Sequence, residues 1–150
     1  MNAGEPETAR GETEAPSGNR TFSLSQQWSG NLNILVVDDD ETMRSLLDSA
    51  LSQEGHQVRQ AGGGKNAYEE IGKFEFDLVI MDYDMPDMTG LETIRRLKAE
   101  IAVLPPIIIV TAKGSPELVK RCIEAGAKDF IVKPFTVPGL LGRIERYAKQ

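Results

Sequence analysis

The sequence predicts an α/β fold in which a five-stranded parallel β-sheet is covered by helices on both faces. Short apolar segments typical of strands alternate with segments whose apolar residues recur at helical spacing. The alternation occurs five times without an insertion, and strands that alternate with helices indicate a parallel sheet. The length of 150 residues suits a single domain.

The amino-terminal segment differs in composition from the rest of the chain. Its first twenty residues carry no large apolar side chain beyond the initial methionine. Such a segment cannot bury enough apolar surface to offset the entropy of ordering. We therefore predict a disordered tail over residues 1–31 and a domain over residues 32–150. Phe22, Leu24 and Trp28 are interpreted as stray apolar residues of a linker, with a short docking segment as the alternative.

The first two strand–helix units open the domain. An apolar strand covers Asn33–Val37, and residues 41–54 have the spacing of a helix. Residues 57–60 are a polar strand of the kind found at sheet edges, and residues 65–71 are a short helix. His56, in the turn between the first helix and the second strand, is expected at the surface. The buried face of the first helix is predicted to consist of Met43, Leu46, Leu47, Ala50 and Leu51.

The third strand is a continuous apolar run at residues 78–81 that ends in Asp82. A run this short, bounded by turn residues, indicates a strand buried on both faces. Pro86 and Gly90 define the turn before a third helix over residues 91–100. Asp82 is thus predicted at the carboxyl end of a strand, where open parallel sheets bind ligands. Simple strand termination is the alternative use of this aspartate.

The fourth strand, residues 107–110, follows two prolines, and its helix begins with Ser115 as N-cap and Pro116 at the first position. The buried side of this helix is predicted to consist of Val119, Cys122, Ile123 and Gly126.

The fifth unit comprises a strand at residues 130–132 and a helix that begins near Val137. Pro138, Gly139 and Gly142 lie in that helix, where proline is tolerated only in the first turn and glycine costs about 1 kcal/mol relative to alanine. We predict that this helix is soft or shortened.

The order of the strands follows from general rules. Right-handed crossovers leave few arrangements of five parallel strands. The flavodoxin-like order 2-1-3-4-5, with helices in the two outer layers, places the polar second strand at an edge.

Polar side chains collect at the carboxyl ends of the strands in this order. Asp38 and Asp39 follow the first strand, Asp82 ends the third, Thr111 follows the fourth and Lys133 follows the fifth. Taken singly, each could cap a helix or turn or remain solvated. Two carboxylates about 4 Å apart repel by about 4 kcal/mol at an effective dielectric constant of 20, and Mg²⁺ would relieve that repulsion. Carboxylate, metal, lysine and hydroxyl are the parts of a phosphoryl-transfer site, and an aspartate can itself accept the group.

Four motifs at these strand ends resemble the receiver domain of two-component response regulators, of the single-domain type that resembles chemotaxis regulators. The resemblance extends from residue 32 to about residue 148. The motifs are Ile34-Leu35-Val36-Val37-Asp38-Asp39, Ile80-Met81-Asp82-Tyr83-Asp84-Met85-Pro86, Ile109-Val110-Thr111-Ala112 and Phe130-Ile131-Val132-Lys133-Pro134-Phe135.

The resemblance implies that Asp82 is the phosphoacceptor and takes its group from a histidine kinase or a histidine phosphotransfer protein. Asp39, Asp82 and the backbone carbonyl of Asp84 would bind Mg²⁺ directly, and Asp38 would do so through water. Asp84 and Lys113 are further hypothesised to pair across the mouth of the site. The protein would catalyse its own phosphorylation and dephosphorylation only, and so would not be an enzyme in the usual sense.

The resemblance also implies a switch. Thr111 would hydrogen-bond the phosphoryl group, Lys133 would pair with it, and the bond from Lys133 to Pro134 would be cis. Phe130 would move inward as Thr111 moves toward the phosphate, although a plain core aromatic looks the same in sequence. The fourth helix, fifth strand and fifth helix would then form the face that controls a partner protein.

Competing functions fit less well. Asp82-Tyr83-Asp84 also matches the nucleophile motif of haloacid-dehalogenase-type phosphatases, but Pro86 stands where those enzymes prefer threonine or valine, and no acidic pair follows Lys133. A phosphate-binding loop at residues 62–65 fails because Arg59 and Asn66 occupy required positions. A receiver fold that never carries phosphate, and a fragment of a larger regulator or hybrid kinase, remain as alternatives.

Composition narrows the function classes. The net charge of −6 argues against general nucleic-acid affinity, which requires a basic face. Cys122 is the single cysteine and cannot form an internal disulfide, which is typical of a reducing compartment. The sequence has no signal-peptide pattern and no apolar run of membrane-spanning length, so a soluble cytoplasmic protein is expected.

Overall fold

The computed structural model describes residues 31–148, in which five strands alternate with five helices. The strands are β1 (Asn33–Val37), β2 (Gln57–Ala61), β3 (Leu78–Asp82), β4 (Ile107–Thr111) and β5 (Asp129–Val132). The helices are α1 (Glu41–Gln53), α2 (Gly64–Lys73), α3 (Gly90–Glu100), α4 (Pro116–Ala125) and α5 (Val137–Ala148). The predicted strand–helix alternation is confirmed.

The predicted tail lies, apart from Asn31, outside the described residues. Phe22, Leu24 and Trp28 fall in the same region. The predictions made for this segment stay predictions.

The five strands are all parallel and lie in the order β2-β1-β3-β4-β5. The flavodoxin-like order is therefore confirmed, and the polar strand β2 occupies an edge as predicted. The register pairs Asp82 with Val110 and Thr111 with Val132. The carboxyl ends of β3, β4 and β5 therefore lie side by side, and this row of strand ends is called the carboxyl edge of the sheet.

Apolar side chains from alternate strand positions form one core on each face of the sheet. Leu35, Met81 and Ile109 belong to the core that packs against α2, α3 and α4. Val36 and Ile108 belong to the core that packs against α1 and α5. Because β3 and β4 contribute to both cores, every one of their residues is buried, which confirms the prediction for the third strand.

The helices begin where their sequences contain capping residues. Asp40 accepts hydrogen bonds from two backbone amides in the first turn of α1. Thr89 and Glu92 form a capping box at α3. Ser115 caps α4, and Pro116 is its first residue, as predicted.

Three burial predictions are wrong. Leu46 is 50% exposed and Ile123 is 43% exposed, because each lies about 100° around its helix from a fully or nearly buried neighbour. A helix on a sheet buries only the part of its apolar stripe that faces the sheet. His56, expected at the surface, is 7% exposed, and its Nδ1 accepts a hydrogen bond from the amide of Leu32 at 3.1 Å.

Among the described residues, no helix has both the length and the apolar character needed to cross a bilayer.

Candidate functional site

Three carboxylates meet at the carboxyl edge of the sheet. Asp38 directly follows β1, and Asp82 ends β3, the strand beside it. One carboxylate oxygen from each of Asp38, Asp39 and Asp82 lies within 4.8 Å of the other two. Asp38 and Asp82 are only 4% and 6% exposed, whereas Asp39 is exposed. The structure thus brings together the three acids that the sequence predicts at one edge.

Backbone contacts fix the loop that carries Asp38 and Asp39. The amide of Asp38 donates to the carbonyl of Ala61 on β2 at 3.1 Å. One oxygen of the Asp38 carboxylate accepts from the amide of Asp40 at 2.9 Å, which turns the chain into α1. The second oxygen of Asp38 therefore remains for other partners in the cluster.

Lys133 reaches the acids from the end of β5. Its Nζ lies 3.3 Å from Oδ1 of Asp82 and 3.8 Å from Oδ2 of Asp38. The peptide bond from Lys133 to Pro134 is cis, as the resemblance implies. A single ammonium group thus faces two nearly buried carboxylates.

The environment of the cluster shifts the pKa values of its carboxyl groups. Burial, followed by repulsion from Asp38, raises the pKa of Asp82 to about 6, although Lys133 opposes the shift. Burial also raises the pKa of Asp38, against the opposing effects of the Asp40 amide and Lys133. Both carboxylates are therefore costly to keep ionised with the protein groups alone.

Thr111 completes the edge from β4. Its side chain is fully buried, and Oγ1 accepts a hydrogen bond from the amide of Lys113 at 3.1 Å. The carbonyl of Thr111 accepts from the amide of Lys133 at 2.7 Å, which ties the ends of β4 and β5 together.

Phe130 lies on β5, paired with Ile109, and is partly buried against the core that contains α3 and α4. Its carbonyl accepts a hydrogen bond from Arg143 of α5 at 3.4 Å, and the same guanidinium pairs with Asp129 at 2.8 Å. Phe130 therefore sits where β5, α5 and the core meet.

The hypothesised ion pair between Asp84 and Lys113 is not formed among the described residues. Both side chains are exposed.

Two further residues that contact the acid loops were not predicted from the sequence. Arg44 of α1 donates to the carbonyl of Asp38 at 2.7 Å and to the side chain of Gln60 at 3.2 Å. Asp87, in the loop after β3, accepts from the amides of Gly64 and Lys65 at 3.1 and 2.9 Å. No local pattern marks either contact, although the glycine run before Lys65 does indicate a close approach of backbone.

The donor set fits a hard divalent cation. Mg²⁺ takes carboxylate, carbonyl and water oxygens, and three carboxylate oxygens converge here. Its charge would also oppose the burial and the repulsion from Asp38 that together raise the pKa of Asp82. Asp38, Asp39 and Asp82 are the side chains that could hold it.

Comparison with known proteins gives a consistent result. Residues 34–145 match the family described as the response regulator receiver domain. The transcriptional regulatory protein ZraR of Escherichia coli K12 is 34% identical over 116 residues, which cover 77% of this chain and 26% of that protein. The chain therefore spans about a quarter of the length of the curated relatives it matches.

Solved structures agree with this match. The chemotaxis protein CheY4 of Vibrio cholerae superposes with a TM-score of 0.74 at 31% identity, covering 79% of this chain and 99% of that one. The signal receiver domain of a signal transduction histidine kinase from Syntrophus aciditrophicus gives a TM-score of 0.70 at 32% identity, with coverage of 78% and 89%.

Proposed function

The chain belongs to the response regulator receiver domain family, and from this we propose that Asp82 accepts a phosphoryl group from a phosphohistidine of a partner protein, in a reaction that requires Mg²⁺. The observation that carries the proposal is the convergence of Asp38, Asp39 and Asp82 beside Lys133 at one edge of the sheet. The partner would be a histidine kinase or a histidine phosphotransfer protein.

The proposed reaction uses the residues of this edge. One carboxylate oxygen of Asp82 attacks the phosphorus of the phosphohistidine, the P–N bond breaks, and the imidazole nitrogen leaves with the electron pair and takes a proton. Bound Mg²⁺ would supply positive charge against the charge that develops on the transferring group. Asp38, Asp39, Asp82 and the carbonyl of Asp84 would hold it, with Asp38 acting through water.

Lys133 and Thr111 would bind the phosphoryl group once it is attached to Asp82. The ammonium group, already 3.3 Å from Asp82, would pair with a phosphoryl oxygen, and the hydroxyl of Thr111 would donate to another. The protein catalyses only the phosphorylation and dephosphorylation of its own aspartate.

The proposed output is a change in the face formed by α4, β5 and α5. Movement of Thr111 toward the phosphoryl group would open space toward which Phe130 moves, and the face would then bind or release a downstream protein. Phe130 packs against the core, and its carbonyl accepts a hydrogen bond from Arg143 of α5. This link between the core and α5 supports the assignment.

The setting of this chemistry is proposed from the family and the composition. We propose a cytoplasmic protein that acts on other proteins and makes no direct contact with nucleic acid, consistent with the net charge of −6. The alternative, a receiver within a larger regulator or hybrid kinase, is supported by ZraR and by the receiver domain of the Syntrophus aciditrophicus histidine kinase. Both settings require the same reaction at Asp82.

The test is phosphorylation by a small donor. Incubation with acetyl phosphate and Mg²⁺ should add the mass of one phosphoryl group, seen by intact-protein mass spectrometry, and EDTA should prevent it. Asp82→Ala should abolish the gain in mass. Asp77→Ala, which removes an exposed carboxylate at the opposite edge of the sheet, should not.

The same preparation separates the proposal from the phosphatase alternative. A haloacid-dehalogenase-type enzyme would turn over a phosphate monoester such as p-nitrophenyl phosphate, and we expect no turnover. Sustained turnover, or a full gain in mass by Asp82→Ala, would contradict the proposal.

A further inference from the structure

The side chain of Asp87 attaches the loop between β3 and α3 to α2 by hydrogen bonds. Its two carboxylate oxygens accept from the amides of Gly64 and Lys65, which belong to the first turn of α2. These hydrogen bonds hold the pKa of Asp87 below its ordinary value. Gly63, the residue at the N-cap position, has no side chain to cap α2, so Asp87 caps that helix from 22 and 23 residues away.

The glycines at the start of α2 leave room for the side chain of Asp87. A Cβ atom on Gly63 would lie 2.8 Å from Oδ1 of Asp87, and one on Gly64 would clash with the hydroxyl of Thr93. The glycine run therefore allows the loop after β3 to lie directly on the start of α2. It also explains why the run makes no phosphate-binding loop, since a carboxylate of the chain already occupies those amides.

The same loop is held elsewhere by backbone contacts and by burial. The amide of Gly90 donates to the carbonyl of Tyr83 at 2.8 Å, and Met85 is buried in the core. Asp84 and Pro86, between these points, are exposed. Asp87 attaches the outer part of the loop to α2 by two hydrogen bonds.

We propose that Asp87 is a positioning residue for the metal and phosphoryl site, an inference that rests on the proposed function. A backbone carbonyl has no rotamer of its own, so the position of the Asp84 carbonyl depends entirely on the conformation of the loop. Asp87 lies three residues further along and fixes that conformation to α2. Loss of the attachment should therefore weaken Mg²⁺ binding although none of the carboxylates at the site is changed.

The experiment measures Mg²⁺ affinity by isothermal titration calorimetry and stability in EDTA by urea unfolding. We expect Asp87→Ala to weaken Mg²⁺ binding by about threefold to tenfold, which is below the roughly tenfold to hundredfold effects of residues that contact the metal ligands directly. Asp87→Asn, which keeps one acceptor oxygen, should recover much of that loss. Gly63→Ala should reproduce it with Asp87 intact, because the added methyl group displaces the carboxylate.

Asp77→Ala is the matched control. Asp77 is also exposed and also accepts from a distant backbone amide, that of Asn33 at 2.8 Å, but it lies at the opposite edge of the sheet. We expect this variant to lose stability in EDTA while its Mg²⁺ affinity stays within twofold of the parent.

The outcomes are distinct. If the parent protein binds no Mg²⁺, the proposed function itself fails. If the parent binds but Asp87→Ala and Gly63→Ala bind equally well, the positioning role is wrong. Should Asp87→Ala fail to fold, Gly63→Ala decides in the same way, and unchanged Mg²⁺ affinity in that variant overturns the inference.

Discussion

Asp38 and Asp82 are nearly buried carboxylates that share one ammonium group, and this arrangement is unfavourable for the folded protein alone. Burial of an ionised group costs several kcal/mol unless partners compensate, and Lys133 at 3.3 and 3.8 Å compensates only in part. The raised pKa of Asp82, about 6, reflects this balance. Selection for stability alone would not favour this arrangement. The buried charges lower the stability of the folded protein, and the proposed chemistry explains why they are present.

A stability measurement tests this conflict directly. We expect Asp82→Asn to raise the free energy of unfolding in EDTA at pH 7 by about 1–2 kcal/mol, because the amide keeps the volume of the side chain and removes its buried charge. Urea unfolding measures the change. Asp77→Asn, at an exposed carboxylate, should produce no gain. A loss of stability in Asp82→Asn would show that the pair with Lys133 outweighs the cost of burial.

His56 is the second residue whose burial has a measurable consequence. Burial lowers its pKa, and Nδ1 can accept from the amide of Leu32 only while that nitrogen is unprotonated. The unfolded chain therefore takes up a proton at a higher pH than the folded protein does. The resulting stability is present above about pH 6.5 and is lost as the pH falls toward the lower pKa of the folded state.

We expect His56→Asn to flatten this pH dependence, because an amide oxygen can accept the same hydrogen bond without titrating. The free energy of unfolding in EDTA should be compared for both proteins between pH 5 and pH 8. The parent should lose stability relative to the variant below about pH 6.5, with a slope no steeper than about 1.4 kcal/mol per pH unit. Asp38 and Asp82 act in the opposite direction but are common to both proteins. Parallel curves would contradict the assignment.

Sequence reasoning reached some of these residues and missed others for a physical reason. Asp38, Asp82 and Thr111 could be predicted because each ends or follows an apolar run that marks a strand, and the strand order then places them together. Arg44 and Asp87 could not, because their contacts join segments through side-chain reach, which no periodicity records.

At the scale of elements, two glycines in helices occupy opposite environments. Gly90 begins α3, and a Cβ atom there would lie 3.0 Å from the carbonyl oxygen of Asp82 and 3.0 Å from Cδ1 of Ile109. Gly72, inside α2, has open space at the same position. The first glycine allows α3 to begin against β3 and β4, and the second has no such role.

The two alanine variants should therefore differ in sign. Gly90→Ala should destabilise the protein by about 1–3 kcal/mol through overpacking. Gly72→Ala should stabilise it by about 0.5–1 kcal/mol, since alanine loses less backbone entropy in a helix. Thermal or urea unfolding measures both, and equal effects would show that helix propensity rather than contact with β3 governs Gly90.

Helix α5 is present over its full predicted length, so it is not shortened, and its softness stays a prediction. Gly142 has nothing within 4 Å of its Cβ position, so it contributes no packing that would justify its cost in a helix. We expect amide exchange in α5 to be faster than in α1, and Gly142→Ala to slow it by about fivefold, the effect of about 1 kcal/mol on a local opening. Equal protection of α1 and α5 in the parent would argue against a soft α5.

At this scale, sequence patterns predicted burial more accurately for the strands than for the helices. The prediction that the third strand is buried on both faces is confirmed, because a continuous apolar run has no exposed side. Strand β4, which is also a continuous apolar run, is buried in the same way. Leu46 and Ile123 were placed in the core by spacing alone and are exposed. Periodicity gives the direction of an apolar stripe but not the width of the surface that covers it.

On the scale of the whole molecule, the residues that stabilise the sheet and the residues of the candidate site lie in different places. Its two apolar cores hold the strands together on either face, while the polar groups lie at the carboxyl edge, where strands from distant parts of the sequence end. A cation bound at that edge would join the loops after β1 and β3. Its binding energy would consequently add to the stability of the complete domain and not to one element.

This linkage gives a quantitative expectation for Mg²⁺. A ligand that binds only the folded state stabilises it by RT ln(1 + [L]/Kd), so the free energy of unfolding should rise by about 1.4 kcal/mol at ten times Kd and continue to rise with the logarithm of the concentration. Urea unfolding across a Mg²⁺ series at constant ionic strength measures the dependence and removes general screening by salt. Asp82→Asn should begin from a higher stability in EDTA and gain far less from Mg²⁺, so the two curves should approach each other as Mg²⁺ increases. An equal gain in both proteins would mean that the ion acts elsewhere on the surface, and that the acids at the end of β1 and β3 repel one another without binding it.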